Sequence, residues 1–147
     1  IRESVSKLGS GESKNAILDA LVTKLKEIDE FEEHVFKGYR KHLPYNRCIL
    51  VHLRRDIVAP ESTAENLHNL EFNLLVRVKA DIQSDAEEEI ESFISLVGLV
   101  EDKLDENAYN PGVWEDLTVN QVIYTFGAAE TFVYYNAMIR LTIKAQW

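Results

Sequence analysis

The residues able to do chemistry are few and scattered. Histidines stand at 34, 42, 52 and 68, too far apart for a local His-x-x-x-His metal motif. Each flanks or occupies a segment of strand-like pattern, so only the fold could bring them together. Glu87-Glu88-Glu89 with Glu91 could hold a cation or supply an acid and a base. The same run lies in the first turns of a predicted helix, where the helix dipole favours negative charge. The expectation is therefore a solvated helix face. Asp102, Asp105 and Glu106 do not have the spacing of a calcium loop. Cys48 is the lone cysteine and sits within an apolar run, which predicts a small buried hydrophobe. The glycines occur singly, and none builds a phosphate-cradling loop. The residues thus predict no catalytic, metal or cofactor site.

The elements that would position these groups are easier to read. Leu70, Phe72, Leu74, Val76 and Val78 alternate with Glu71, Asn73, Leu75, Arg77 and Lys79, the period of a strand with one buried face. Ser84-Asp85-Ala86-Glu87 has capping-box spacing, and Ile90, Phe93, Ile94, Val97, Val100 and Leu104 then recur at helical intervals. Strand and helix each gain an apolar face to bury against the other. Upstream, residues 1–12 read as an arm, and a helix starts near Ser13 with the stripe Ile17, Leu18, Leu21, Val22, Leu25 and Ile28. His34 to Lys37 predicts a short strand and Cys48 to Leu53 another, with Ile49, Val51 and Leu53 on one face. Asp56 to Glu65 reads as a connection longer than the roughly two to five residues usual for a hairpin. Asp105 to Asp116 is a second long loop, with Asn110-Pro111-Gly112 as its turn signal. Leu117 to Phe126 and Val133 to Lys144 close the chain as strands about Gly127-Ala128-Ala129-Glu130. The expected fold is α+β, with a mostly antiparallel (mixed) sheet of four to five strands. Two main helices pack on it, in the order α-β-β-β-α-β-β, as one domain over residues 13–147.

Composition narrows the function classes. The chain has 147 residues, enough for one core without disulfides or metals. No apolar run approaches the ~20 residues of a membrane-spanning helix. The formal net charge of −9 and pI near 4.9 oppose a dedicated binder of nucleic-acid backbone. Basic residues gather at Lys37, Arg40, Lys41, Arg47, Arg54 and Arg55, and acidic ones at Asp29–Glu33, Asp85–Glu91 and Glu101–Glu106. The molecule is expected to have a positive and a negative edge.

Several large side chains fall where a monomer would place polar ones. Leu75 lies beside Arg77 on the polar side of the central strand, and Phe132, Tyr134 and Met138 share the outward side of the last strand. Trp114 stands in a loop, and Trp147 at the end of the chain. Such groups mark partner surfaces, unless the two helices cover the sheet on both sides. With rim charges Arg54 and Arg55 to fix register, the candidate interface is Arg54, Arg55, Leu75, Arg77, Trp114, Phe132, Tyr134, Met138 and Trp147. A different reading is a small-ligand-binding regulatory module, with His52 and Arg54 converging on an apolar pocket.

The layout resembles the tail terminator (tail completion) proteins of long-tailed bacteriophages. The resemblance rests on the Asn15-to-Leu21 helix and on Leu43-Pro44-Tyr45 ahead of a strand. It continues in the Asn69-to-Lys79 strand feeding the Ser84-Asp85-Ala86-Glu87 helix, and in the closing Ala137-to-Ile143 strand. It implies a virion protein, assembled in the host cytoplasm, that forms a hexameric ring at the head-proximal end of the tail. Such a ring stops tail-tube polymerisation and joins the head connector, and DNA passes its lumen without specific binding. No enzyme activity or cofactor is implied. A neck or head-completion protein of similar layout is the alternative.

Overall fold

The computed structural model describes residues 9–39, 44–60, 64–81, 83, 85–129 and 131–147. Helix α1 covers Ser10–Lys26, followed by a 3-10 turn at Asp29–Phe31 and strand β1, Val35–Lys37. Strands β2, Arg47–Pro60, and β3, Asn66–Asp81, come next, then helix α2, Ala86–Glu106. Strands β4, Asp116–Ala128, and β5, Phe132–Gln146, complete the chain. The sheet order is β1-β2-β3-β5-β4, with β1 parallel to β2 and every other pair antiparallel. The α+β class and the order of elements are those expected from sequence.

β3 is the central strand, and its side chains alternate between buried and half-buried along almost its whole length. Leu70, Phe72, Leu74, Val76 and Val78 meet the inner-face residues of β5, among them Ala137, Ile139, Leu141 and Ile143, in one core. The buried stripe of α1 (Ile17, Leu21, Val22, Leu25) and that of α2 (Phe93, Leu96, Val97, Val100, Leu104) enter this same core. Both helices therefore lie on one face of the sheet. Among the described residues, no helix covers the opposite face.

Several boundaries differ from the sequence expectation, each for a physical reason. α1 begins at Ser10, and Ser13 is buried within it instead of capping it. The cap of α2 is Asp85, whose carboxylate accepts from the backbone N–H groups of Glu87 and Glu88 at 3.0 and 3.2 Å. Ser84 of the expected capping box lies outside the described residues. The stripe of α2 is rotated toward Leu96, and Ile90 and Ile94 are 46% and 52% exposed. The first turns of α2 overhang the sheet corner.

The predicted long connection from Asp56 is instead strand. β2 runs on to Pro60, paired with β3 as far as Asn66. A bulge at Arg54 breaks the alternation there, and the extra residue moves Asp56 to the inner face opposite Leu70. β4 has a matching bulge at Asn120.

Candidate functional site

Among the described residues, no group of three or more His, Cys, Asp and Glu could hold a metal ion. His42 lies outside the described residues. The other three histidines have separate settings. His34 stacks on Tyr45 at 3.7 Å between ring centroids. His52 is exposed on β2. His68 is 4% exposed and stacks on Trp147 at 3.5 Å.

His68 belongs to a polar tie at one end of the core. Its Nδ1 lies 2.9 Å from Asp56 Oδ2, which also takes the Lys14 ammonium at 3.0 Å. Trp147 is held over the ring by paired backbone hydrogen bonds with Asn66, at 2.8 and 3.2 Å. The cluster joins α1, β2, β3 and the end of β5 through groups that would be costly to bury alone. Trp147, expected at a partner surface, stacks on the subunit's own core through His68 and is half-buried.

Trp114 corrects the expectation of a surface position. It is 2% exposed and donates from Nε1 to the Asn107 carbonyl at 2.8 Å. The loop folds back, with Asn110 and Trp114 exchanging backbone hydrogen bonds at 3.2 and 3.0 Å, and drives the indole into the core. A loop position predicts exposure only where nothing turns the side chain inward.

The outer face of the sheet gathers most of the other expected interface residues. Strand registers align Phe36, Leu50, Leu75, Met138 and Ile123 in one apolar row that crosses all five strands. At the β1 end Tyr45 stacks near Phe36 at 5.6 Å, and Leu50 is buried. The row opens toward β4, where Leu75 and Met138 are half-buried and Ile123 is exposed. The row beside it on one side is Cys48, Arg77, Asn136 and Thr125, and on the other His52, Asn73, Arg140 and Gln121.

Aromatic rings hold two cations of this face in place. Arg77 donates from Nε to Asn136 Oδ1 at 3.1 Å and stands over the Tyr134 ring, while Lys79 lies 3.7 Å from the Phe132 ring centroid. Burial pushes the Cys48 thiol up, and Arg77 opposes this only in part, so the thiol is a poor nucleophile at neutral pH.

The two bulges flank the row of Phe72 and Leu141, the one in β2 on the side of Glu71 and the one in β4 on the side of Arg140. Between them is a polar depression of about 320 Å³ lined by Arg54, Glu71, Asn120, Gln121 and Arg140, among others. Arg55 pairs with Glu71 through Nε and through Nη2, the latter at 3.0 Å, and Arg54 approaches the same carboxylate at 3.9 Å. The hydrogen bond from Arg55, followed by the charges of Arg55, Arg54 and Arg140, holds the Glu71 carboxyl below its ordinary range. Arg140 keeps a buried Nε with no partner among the described residues.

On the inner side, the overhang of α2 leaves an apolar groove of about 570 Å³. Ile90, Phe93 and Ile94 form one wall, and Tyr124, Phe126 and Tyr135 form most of the other. Phe126 is 77% exposed and Tyr124 49%. Burial, then the nearby Glu101 charge, pushes the Tyr124 hydroxyl up. Sequence reasoning assigned Ile90 and Ile94 to the core and missed this groove, Ile123, Arg140 and Asn120. Phe126 and Tyr124 alternate with Ile123 and Thr125 at the end of the predicted strand. That run of large residues on both faces was the available signal.

No protein-family profile matches the chain, and no curated protein matches it in sequence. Among solved structures, the chain is similar to a chain from the virion of a native gene transfer agent particle. The two are 12% identical with a TM-score of 0.42, over 85% of this chain and 84% of that one.

Proposed function

We propose that this chain is a structural virion subunit. Copies assemble into a ring, hexameric by the resemblance noted above, at the head-proximal end of a phage-type tail. The ring ends tail-tube growth and joins the tail to the head connector. The observation that carries the reading is the open sheet face. An apolar row crosses five strands, flanked by Arg77 and Arg140 and, among the described residues, left without a helix because both helices occupy the other side. A sheet with one helical layer and an apolar stripe on its other face is built for packing against protein. The acidic balance of −9 suits a lumen through which DNA passes without adhering.

A connector or neck subunit would use the same surfaces, and partner choice separates the two roles. The ligand-binding reading has less support. The apolar groove lies on the helix side, whereas His52 and Arg54 belong to the outer face and bring no polar group to it.

The test is electron microscopy of the purified chain, alone and mixed with tail tubes of its source particle. Rings of uniform diameter that cap one tube end are expected. Tubes that stay bare and continue to elongate in excess chain would overturn the terminator role. Rings that bind the head vertex but not tubes would assign the neck role instead.

A further inference from the structure

The groove beside α2 and the open face of the sheet are on opposite sides of the subunit and opposite in charge. Glu87 and Glu91 each stand three residues before an exposed isoleucine of the groove wall, Ile90 and Ile94, and so share its side of the helix. Glu101 is near enough to the groove to act on Tyr124. Among the described residues no cation pairs with Glu87 or Glu91, and the Lys103 ammonium, at the far end of the helix, is taken up by Glu27 at 3.2 Å and Glu106 at 3.9 Å. The groove is therefore an apolar surface with an acidic rim.

The outer face has the reverse character. The open end of its apolar row, Leu75, Met138 and Ile123, lies between Arg77 on one side and Arg140 on the other, with Lys79 and Lys144 farther out. Glu71 is already engaged by Arg55, and Arg140 donates from Nη1 to Gln121 Oε1 at 3.4 Å, while its buried Nε has no acceptor among the described residues.

We propose that the α2 groove of one copy seats against the outer sheet face of the next, a head-to-tail contact that rests on the ring reading and specifies its joint. Ile90, Ile94 and Phe126 of one subunit meet the open end of the row on its neighbour. Glu87 and Glu91 face Arg77 and Arg140. Like-with-like pairing is disfavoured: face on face opposes Arg to Arg, and groove on groove opposes Glu to Glu. A heterologous contact repeats from copy to copy and closes a ring when its rotation permits.

Charge exchange tests this contact in the full chain. One variant carries Glu87→Lys and Glu91→Lys, and a second carries Arg77→Glu and Arg140→Glu. Each is read by native mass spectrometry and sedimentation, with circular dichroism and Tm as the check on folding. Each variant alone is expected to lose the assembled species that the wild type forms. An equimolar mixture is expected to regain it with the two variants alternating, because both kinds of joint then oppose unlike charges. If Arg140→Glu unfolds the chain, Lys79→Glu with Lys144→Glu repeats the experiment. Variants that assemble like the wild type, or a mixture that stays monomeric, overturn the proposed joint and leave the ring reading standing. A wild-type chain that stays monomeric at every concentration, with or without tail tubes, overturns both.

Discussion

Replacing Trp114 separates a core role from a surface role. The indole is 2% exposed, packs within the main core and donates its N–H to the Asn107 carbonyl at 2.8 Å. A tryptophan side chain buries about 150–250 Å², which at about 25 cal/mol per Å² corresponds to ~4–6 kcal/mol. That is an upper bound, because the unfolded chain already hides some of this area. Trp→Ala changes in cores cost about 3–5 kcal/mol, so Trp114→Ala should destabilise the chain by ~4 kcal/mol. With a urea slope of ~2 kcal/mol per M, the midpoint falls by about 2 M. Trp114→Phe keeps most of the apolar area and leaves the Asn107 carbonyl unpartnered, at about 1–2 kcal/mol. Urea unfolding followed by far-UV circular dichroism measures both, at a concentration where sizing shows the same species throughout. A loss under about 1 kcal/mol for Trp114→Ala, accompanied by loss of assembly, would refute the core placement. It would return the indole to a partner surface.

Further outcomes follow from the same geometry. Phe72→Ala should cost about 3–5 kcal/mol, and Leu75→Ala, three positions along on the half-buried face, distinctly less. Equal costs in urea unfolding would contradict the two-layer arrangement. Asp56→Ala removes the acceptor shared by His68 and Lys14 and should cost about 3 kcal/mol. An unchanged melting temperature would show the tie to be idle. Cys48 is 1% exposed with its thiol pushed up, so it should react with a maleimide only as the chain unfolds. Labelling of the native chain within minutes at neutral pH would contradict this burial. The Glu71 carboxyl titrates lower in the folded chain than unfolded, so its contribution is present above its ordinary pKa and lost as pH falls through the depressed one. The stability difference between wild type and Glu71→Gln should therefore shrink on acidification, and thermal melts across that range would detect a difference that grows instead.

The open face was legible in part. Leu75, Arg77, Phe132, Tyr134 and Met138 could be assigned to it because alternation is local, and a strand of period two displays its outward residues in sequence. Ile123, Leu50 and Phe36 join the same row only through register, which depends on which strands pair and where bulges fall. The bulge at Arg54 also explains why β2 read as ending early. One extra residue shifts the phase, and Asp56 with its inward carboxylate then looks like the start of a loop.

Sequence by itself determined the α+β class, the order of elements, the inner face of β3 and the burial of Cys48. Each depends on periodicity or polarity within a few consecutive residues. Tertiary structure alone decided that both helices share one face, that Trp114 turns inward and Trp147 stacks on His68, and that Ile90 and Ile94 overhang a groove. Those outcomes depend on contacts between residues distant in the chain. An amphipathic stripe states that a face must be buried, and only the assembled sheet decides against what.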